Sequence, residues 1–355
     1  MAYAVATLEK QFAARLVAWQ RQFGRHGLPW QVSDPYKVWL SEIMLQQTQV
    51  ATVLGYYPRF LARFPDLATL AAAPVDDVLA LWSGLGYYTR ARNLHKAAQT
   101  VIQEFGGAFP QQRADIERLP GVGRSTAAAI AAFAFGQRET ILDGNVKRVL
   151  ARCFGVEGYP GDKAVETGMW QLAERLTPAA AADMQAYTQG LMDLGATVCT
   201  RSKPACTACP MLDGCVAANS GRTAELPQRK PRKAVPQRET VMLLALYQGQ
   251  VLLQRRPPSG IWGGLLSLPE FDSTLAVDDW LAANADGELL PAWPEMVHVF
   301  THFRLTITPQ PVQLHSLAGS ACHDDGWQWL PLAEAVDAGV PAPVRKLLLQ
   351  AQGLR

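Results

Sequence analysis

Two carboxylates and four cysteines are the residues of this chain best placed to do chemistry. Glu42 lies in the run Trp39-Leu40-Ser41-Glu42-Ile43-Met44-Leu45, which leads into Gln46-Gln47-Thr48-Gln49. A lone Glu in a helix ordinarily sits on the solvated face. Here Trp39, Ile43 and the Gln cluster make that face an odd one to solvate. A partly buried carboxyl has a raised pKa and holds a proton at neutral pH, as a general acid must. Asp143 lies in Ile141-Leu142-Asp143-Gly144-Asn145-Val146-Lys147-Arg148, about twenty residues after the turn Leu119-Pro120-Gly121-Val122-Gly123-Arg124-Ser125-Thr126. An acidic residue at the mouth of a basic turn is a poor phosphate contact and better suited to meet positive charge developing on a substrate. The cysteines run Cys199-x6-Cys206-x2-Cys209-x5-Cys215. Four closely looped thiolates suit a cubane iron–sulfur cluster. Structural zinc is the alternative, but it usually shows two separated Cys-x-x-Cys-like pairs, and this chain has one. Arg201 and Lys203 inside the loop offer charge to phosphates, and Cys153 and Cys322 are left over as ordinary thiols.

These groups need elements to position them. Pro120 presets φ, and Gly121 and Gly123 allow positive φ and close backbone approach, so the turn reads as a tight hairpin opening a helix. The Ala-rich run to Phe135 is a good helix former, with Ser125 or Thr126 near its start. A helix N-terminus offers unpaired N–H groups that suit a phosphate. For this turn alone, a plain link between two structural helices is the competing reading. Gly84-Leu85-Gly86-Tyr87-Tyr88-Thr89-Arg90 echoes the hairpin. There Arg90 and Arg92 are candidates for a nucleic-acid backbone, and Tyr87 and Tyr88 are either stacking or core residues. Upstream, Leu8, Phe12, Leu16, Trp19 and Phe23 recur at helical spacing, and Leu28-Pro29-Trp30-Gln31 ends that helix. Residues 56–80 read as short helices broken by Pro58, Pro65 and Pro74. Residues 218–239, with Arg229, Lys230, Arg232 and Lys233, read as a linker. Strands are expected at 240–247 and 251–255 around a Gln248-Gly249 turn, and a closing helix at 343–351.

At 355 residues, 49% of them hydrophobic, the chain can fill two or more cores. Its net charge of +2 means that nucleic-acid binding requires local clustering of charge. The first residues lack a basic region followed by a long apolar run, and no apolar stretch is long enough to span a membrane. Cysteines without a secretory signal point to metal rather than disulfides. A cytoplasmic protein is expected.

The turn, the Asp that follows and the cysteine loop together resemble the helix–hairpin–helix DNA glycosylases of the endonuclease III superfamily. The segment WLSEIMLQQTQV narrows the resemblance to the MutY-type adenine DNA glycosylases, from about Leu28 to Cys215. The resemblance implies a multidomain chain: an all-α helix–hairpin–helix glycosylase with a [4Fe–4S] loop, then an α+β Nudix-like domain. The expected boundaries are 1–217 for the catalytic region, 218–239 for the linker and 240–355 for the Nudix-like domain. Within the catalytic region a six-helix hairpin lobe covers about 30–139, and an iron–sulfur lobe is built from 1–29 and 140–217.

The resemblance also implies roles. Glu42 protonates adenine, Asp143 stabilises the sugar cation, Asn145 orients Asp143, and Ser125 lies near the sugar. Cys199, Cys206, Cys209 and Cys215 hold one [4Fe–4S] cluster. Leu45 wedges into the helix, Gln47 helps recognise the opposite base, Thr48 is a DNA contact, and Tyr87 inserts beside the opposite base. Gly121, Gly123, Arg124, Arg90 and Lys147 serve the DNA backbone. Trp30, Gln31 and Gln189 line an adenine pocket. Arg255-Arg256-Pro257-Pro258 through Trp262-Gly263-Gly264 resembles the start of a Nudix fold, but the Glu series that binds metal in Nudix hydrolases is missing after Glu270, where only Asp278 and Asp279 stand. That domain is expected to bind rather than hydrolyse, with Phe300, Thr301 and His302 reading oxidised guanine; Thr301 stands where the family usually has Ser. The implied partner is double-stranded DNA with A:8-oxoguanine or A:G mispairs, met by a monomer. The rivals are a bifunctional glycosylase–lyase, which needs a Lys at the Ser125 position, a non-enzymatic iron–sulfur DNA-binding protein, and a Nudix hydrolase.

Overall fold

The computed structural model describes residues 2–230, 235–318 and 326–353; Cys322, Arg232 and Lys233 lie outside them. The chain divides into two compact units. The first is Met1–Ala71 with Lys96–Arg232, and the second is Ala72–His95 with Lys233–Arg355. Residues 72–95, which the sequence assigns to the hairpin lobe, thus group with the C-terminal part.

The helices of the N-terminal two-thirds are α1 (Ala2–Phe23), α2 (Pro35–Leu45), α3 (Val50–Arg63), α4 (Leu67–Ala72), α5 (Val75–Trp82), α6 (Thr89–Glu104), α7 (Arg113–Glu117), α8 (Arg124–Phe135), α9 (Gly144–Phe154), α10 (Lys163–Leu176), α11 (Met184–Asp193) and α12 (Val216–Asn219). Helix α1 buries Leu8, Phe12, Leu16 and Trp19 but leaves Phe23 exposed at its end. Each such buried side chain contributes about 2 kcal/mol through removal of apolar surface from water. Helix α2 starts at Pro35, and the Asp34 carboxylate caps it by accepting from the N–H groups of Tyr36 at 3.0 Å and Lys37 at 3.3 Å. Val38, Trp39, Leu40, Ile43 and Met44 bury almost its whole circumference, so Glu42 projects from a helix with little solvated face.

Helix α8 is the packing centre of this unit. Ala127, Ala128, Ala129, Ala131 and Ala132 are all buried, and α2, α7 and α11 pack against it. Alanine keeps helical propensity high while letting neighbouring backbones come close. Gly136, at φ 64°, ends α8 in the left-handed conformation.

Two expectations need correction. Pro58 does not break a helix; α3 runs through it. Proline removes one helical hydrogen bond, to the carbonyl of Leu54, and Leu54 lies on an exposed face where water can replace that donor. The segment expected as a solvated linker is in part packed: Leu226 is buried in the first unit's core, and its carbonyl accepts from Arg152 Nε at 2.9 Å.

The second unit holds β1 (Gln237–Tyr247), β2 (Gln250–Arg255), β3 (Leu266–Ser267), β4 (Glu270–Phe271), α13 (Thr274–Asn284), β5 (Ala285–Leu289), β6 (Met296–Val299), β7 (Arg304–Leu317), β8 (Trp327–Pro331), α14 (Leu332–Asp337) and α15 (Ala342–Gln352). Its sheet runs β3-β2-β1-β7-β5, with β4 also pairing with β1, β6 with β7 and β8 with β2. Only the central β1–β7 ladder is parallel among these pairings. A central parallel pair is covered on both faces, which explains the continuous apolar run Met242-Leu243-Leu244-Ala245 in β1.

Candidate active site

Glu42 and Asp143 line one cleft of about 1060 Å³ in the first unit, together with Leu45, Gln47, Thr48, Ser125, Asn145 and Arg148. Glu42 reaches it from α2, two turns after Asp34 starts that helix. Burial pushes its carboxyl up to about 8, and the negative charge of Asp143 adds to the shift. Asp143 is the N-cap of α9, its Oδ1 accepting from the N–H of Val146 at 2.8 Å. Burial also raises Asp143. The N–H groups of Val146 and Asn145 and the charges of Arg148 and Lys147 oppose that rise. The two carboxyls therefore share a site but differ in what holds their charge: Asp143 has donors and cations, and Glu42 has chiefly apolar neighbours.

Ser125 Oγ accepts from the N–H of Leu142 at 2.9 Å, tying the start of α8 to the residue before Asp143. Asn145 meets both Arg148 and Asp143. Its Oδ1 accepts from Arg148 Nη2 at 2.8 Å, and it is the Asn145 backbone N–H that acts on the Asp143 carboxylate.

Glu42, Leu45, Val50, Arg25 and Met192 also line an adjoining cleft of about 680 Å³ with Trp30, Gln31 and Gln189. All three residues expected around a flat base are therefore at its wall. Gln31 is committed elsewhere: its Nε2 donates to the carbonyl of Arg25 at 2.8 Å and its Oε1 accepts from the N–H of Leu28 at 2.9 Å, so it braces its own loop. Gln189 donates to Asp193 Oδ1 at 2.8 Å. Asp193, whose side chain is fully buried, also accepts from Arg25 Nε at 2.6 Å and Arg25 N at 2.8 Å.

On the hairpin side, Gly121 sits at φ 81° and Gly123 caps α8. Gln46 Nε2 lies 3.4 Å from both Gly121 O and Thr126 Oγ1, linking the Gln turn to the hairpin. Gln47 is exposed at φ 57°, a left-handed conformation that turns its side chain out of the α2–α3 path. Arg124 stacks 3.8 Å over the Trp170 ring and pairs with Glu174 at 2.6 Å, and Lys147 pairs with Glu166 at 2.6 Å.

The cysteine loop lies against α9. Cys199, Cys206, Cys209 and Cys215 line one small apolar cavity with Cys153, Val149 and Leu194. Among the described residues no three His, Cys, Asp or Glu side chains are drawn together to ligand distance. The donor set nevertheless fits an iron–sulfur group, because thiols and apolar side chains dominate the cavity lining and no carboxylate is among them. A hydrogen bond from Cys153 lowers Cys215 to about 6, while burial raises Cys199 and Cys209. Two arginines one turn apart on α9 tie the loop to Asp143's helix. Arg148 donates to Cys199 O at 2.8 Å and Gly195 O at 2.7 Å. Arg152 donates to Thr200 O at 2.7 Å, Arg201 O at 3.2 Å and Cys199 Sγ at 3.4 Å. Motif reading missed Arg25, Arg148, Arg152 and Asp193. The available signals were the four-residue steps from Arg148 to Arg152 and from Gln189 to Asp193; Arg25, in the loop after α1, gave none.

In the second unit, Tyr87, Phe300, Thr301 and His302 line a cavity of about 1100 Å³ with Trp262 and His298. Tyr87 is exposed, at φ 49°. Phe300 is held by ring contacts to His298 at 4.6 Å, Trp262 at 5.3 Å and Phe303 at 4.5 Å, and its N–H donates to the Phe303 carbonyl. This lifts Thr301 and His302 into solvent at the loop tip. The expectation that Arg90 meets a DNA phosphate is corrected. Arg90 is 7% exposed, donates to Leu85 O at 3.2 Å and Gly86 O at 3.1 Å, and lies over the rings of Trp82 and Tyr87. Its buried guanidinium holds the Tyr87 loop in shape. Arg92 likewise turns to protein, donating to Gly263 O and Thr89 Oγ1.

Comparison with known proteins agrees with this arrangement. The family model described as "HhH-GPD superfamily base excision DNA repair protein" matches residues 40–175, and the NUDIX domain model matches residues 240–350. The adenine DNA glycosylase of Buchnera aphidicola subsp. Schizaphis graminum is 36% identical over 95% of this chain and 97% of its own length. The adenine DNA glycosylase of Homo sapiens is 33% identical over 96% of this chain and 74% of its own. Among solved structures, a thermostable thymine-DNA glycosylase matches with a TM-score of 0.54 and 29% identity, covering 61% of this chain and 99% of that one. An endonuclease III in a non-covalent DNA complex matches in fold, with a TM-score of 0.51 and 23% identity over 60% of this chain and 97% of that one. With a helical glycosylase region, a Nudix-like sheet domain and relatives of this identity along nearly its full length, the chain belongs to the adenine DNA glycosylase family of base excision repair enzymes.

Proposed function

We propose that this adenine DNA glycosylase removes adenine paired opposite 8-oxoguanine or guanine, and that it is monofunctional. The observation that carries the reading is the pair of carboxyls in one cleft, with Glu42 raised to about 8 and Asp143 held by N–H groups and cations. Two carboxyls pushed apart in this way take separate acid and anion roles. A base inside the stack cannot reach either, so the adenine is flipped out into the cleft beside Trp30 and Gln189. Glu42, protonated at neutral pH, donates its proton to adenine N7. The C1′–N9 bond breaks, its electron pair leaves with the base, and Asp143 stabilises the sugar cation. Water then bonds to C1′ and gives up a proton to Asp143. Ser125 stands where a lyase needs an amine, and a hydroxyl cannot form an imine with C1′, so the product is an intact abasic site.

Cys199, Cys206, Cys209 and Cys215 hold one [4Fe–4S] cluster in this reading, which when bound cross-links the loop through its thiolates. Arg148 and Arg152 then pass the loop's rigidity to α9 and to the Asp143 cap. Tyr87, Thr301 and His302 read the opposite base, Tyr87 by stacking and the loop tip by hydrogen bonds. Base release from duplexes carrying A:8-oxoguanine, A:G, A:T and C:8-oxoguanine tests the reading. Adenine release from the first two and an intact strand until hot alkali is added support it. Release from A:T at the same rate, or cleavage without alkali, overturns it.

A further inference from the structure

Two bulky residues of the second unit hold left-handed backbone conformations, Tyr87 at φ 49° and Trp262 at φ 54°. Such a conformation is uncommon for a large side chain and persists only where surrounding contacts over-determine it. Both line the cavity of about 1100 Å³. Tyr87 stands in its own loop, and Trp262 packs at 5.3 Å against Phe300, the residue before Thr301 and His302. Both conformations are held from one helix. Arg90 and Arg92 stand in the first turn of α6, and residues two apart on a helix face different ways. Arg90 donates back to Leu85 O and Gly86 O and fixes the Tyr87 loop. Arg92 reaches instead to the carbonyl of Gly263, next to Trp262. Gly263 is buried, and a buried carbonyl requires a donor. The other terminal nitrogen of Arg92 donates at 3.0 Å to Thr89 Oγ1, two residues after Tyr87, so the guanidinium is tied to both segments. Further contacts dock residues 72–95 on this unit. Ser83 Oγ donates to Val340 O at 3.0 Å, and Arg255 meets both Asp76 oxygens at 2.9 Å.

We infer that Arg92 is a positioning residue for opposite-base preference, joining the Tyr87 loop and the Trp262 turn into one rigid reader without touching DNA. The stacking ring and the hydrogen-bonding loop tip then meet the same base at a fixed separation. The inference rests on the reading above, in which Tyr87, Thr301 and His302 read that base. The oxidised base differs from guanine by an oxygen at C8 and a hydrogen on N7. Preference for it rests on hydrogen bonds to those atoms, and such bonds weaken steeply when a partner moves by roughly 1 Å. A loosened reader therefore loses more on the oxidised base than on guanine.

The test compares single-turnover adenine release from A:8-oxoguanine and from A:G by the full-length protein, with the salt dependence of duplex binding alongside. Arg92→Leu removes both bonds, and the ratio of the two rates is expected to fall about tenfold with the salt slope unchanged. A phosphate contact would behave otherwise. Its loss weakens binding to both duplexes alike and lowers the slope by about one, with the ratio unmoved. Thr89→Val removes one tie and should lower the ratio about threefold. In a His302→Ala background Arg92→Leu should lower the ratio little further, because both changes disable one reader. A loss of packing alone would slow release from both duplexes together. An unchanged ratio in a folded Arg92→Leu, the phosphate-contact pattern, or fully additive losses with His302→Ala overturns the inference. Should Arg92→Leu not fold, an unchanged ratio in Thr89→Val does the same. A parent protein without preference for 8-oxoguanine overturns the opposite-base reading and this inference together. A parent that has the preference and an Arg92→Leu variant that keeps it overturn this inference alone.

Discussion

Replacing Glu42 by Gln should abolish adenine release and at the same time stabilise the fold, increasingly so as pH rises. The Glu42 carboxyl sits at about 8 in the folded chain against 4.5 in its ordinary state, chiefly because burial disfavours its charged form. Between those values the folded state holds a proton that the unfolded state has released. The stabilising balance is therefore complete below about pH 4.5 and is lost as pH climbs through 8. Each pH unit costs about 1.4 kcal/mol, so roughly 3 kcal/mol is gone at pH 7 and about 5 kcal/mol above pH 8. Glutamine does not titrate and escapes this loss. Carboxyls remote from Glu42 titrate alike in both proteins and cancel in the difference, and Asp143, which is coupled to Glu42, is secondary to burial in the shift. Denaturant midpoints of the parent and of Glu42→Gln should be compared from pH 5 to 8.5. The gap between them should widen steadily in the variant's favour. Single-turnover adenine release by the parent should fall above about pH 8, where Glu42 gives up its proton. A gap that is constant with pH, or a rate that rises through pH 8 and beyond, would refute the assignment of Glu42 as the protonated acid.

Asp143→Asn should slow adenine release by at least about 100-fold while leaving mispair binding within a few-fold, measured by single-turnover kinetics beside equilibrium binding, because the lost charge acts in the transition state. Ser125→Lys should gain strand cleavage that needs no alkali, since Ser125 is tied to the segment carrying Asp143; an imine trapped by borohydride at that position would locate the new amine. Purified protein should carry about four iron atoms per chain, and Cys209→Ser should lose them together with thermal stability; stoichiometric zinc in anaerobically prepared protein would replace the cluster assignment. His302→Ala should cut the preference for 8-oxoguanine over guanine by about tenfold, ~1.4 kcal/mol, with adenine release from A:G little changed.

What could be read from the amino-acid sequence is what neighbouring residues settle. The Gly121–Gly123 turn that opens α8 and the alternation of strand and turn around Gln248-Gly249 depend on contacts within a few residues, so residue type and spacing determine them. The cysteine spacing belongs to the same class, because the loop is short. The tertiary structure decided where charge is buried and what it faces. Arg90 reads as a phosphate contact until the carbonyls of Leu85 and Gly86 and the ring of Trp82 enclose it. Arg152 gathers acceptors from the cysteine loop and from Leu226, the latter 74 residues further along the chain. Asp193 meets Arg25 across 168 residues. Residues 72–95 join the C-terminal unit although the chain places them among the hairpin helices. A buried charge is tolerated only where donors or acceptors from distant segments replace its water. Which segments arrive is a property of the packed whole, so the partners of Arg152 and Asp193 could not be read from the residues beside them, whereas those of Arg90 lie four and five residues away and only its burial is tertiary.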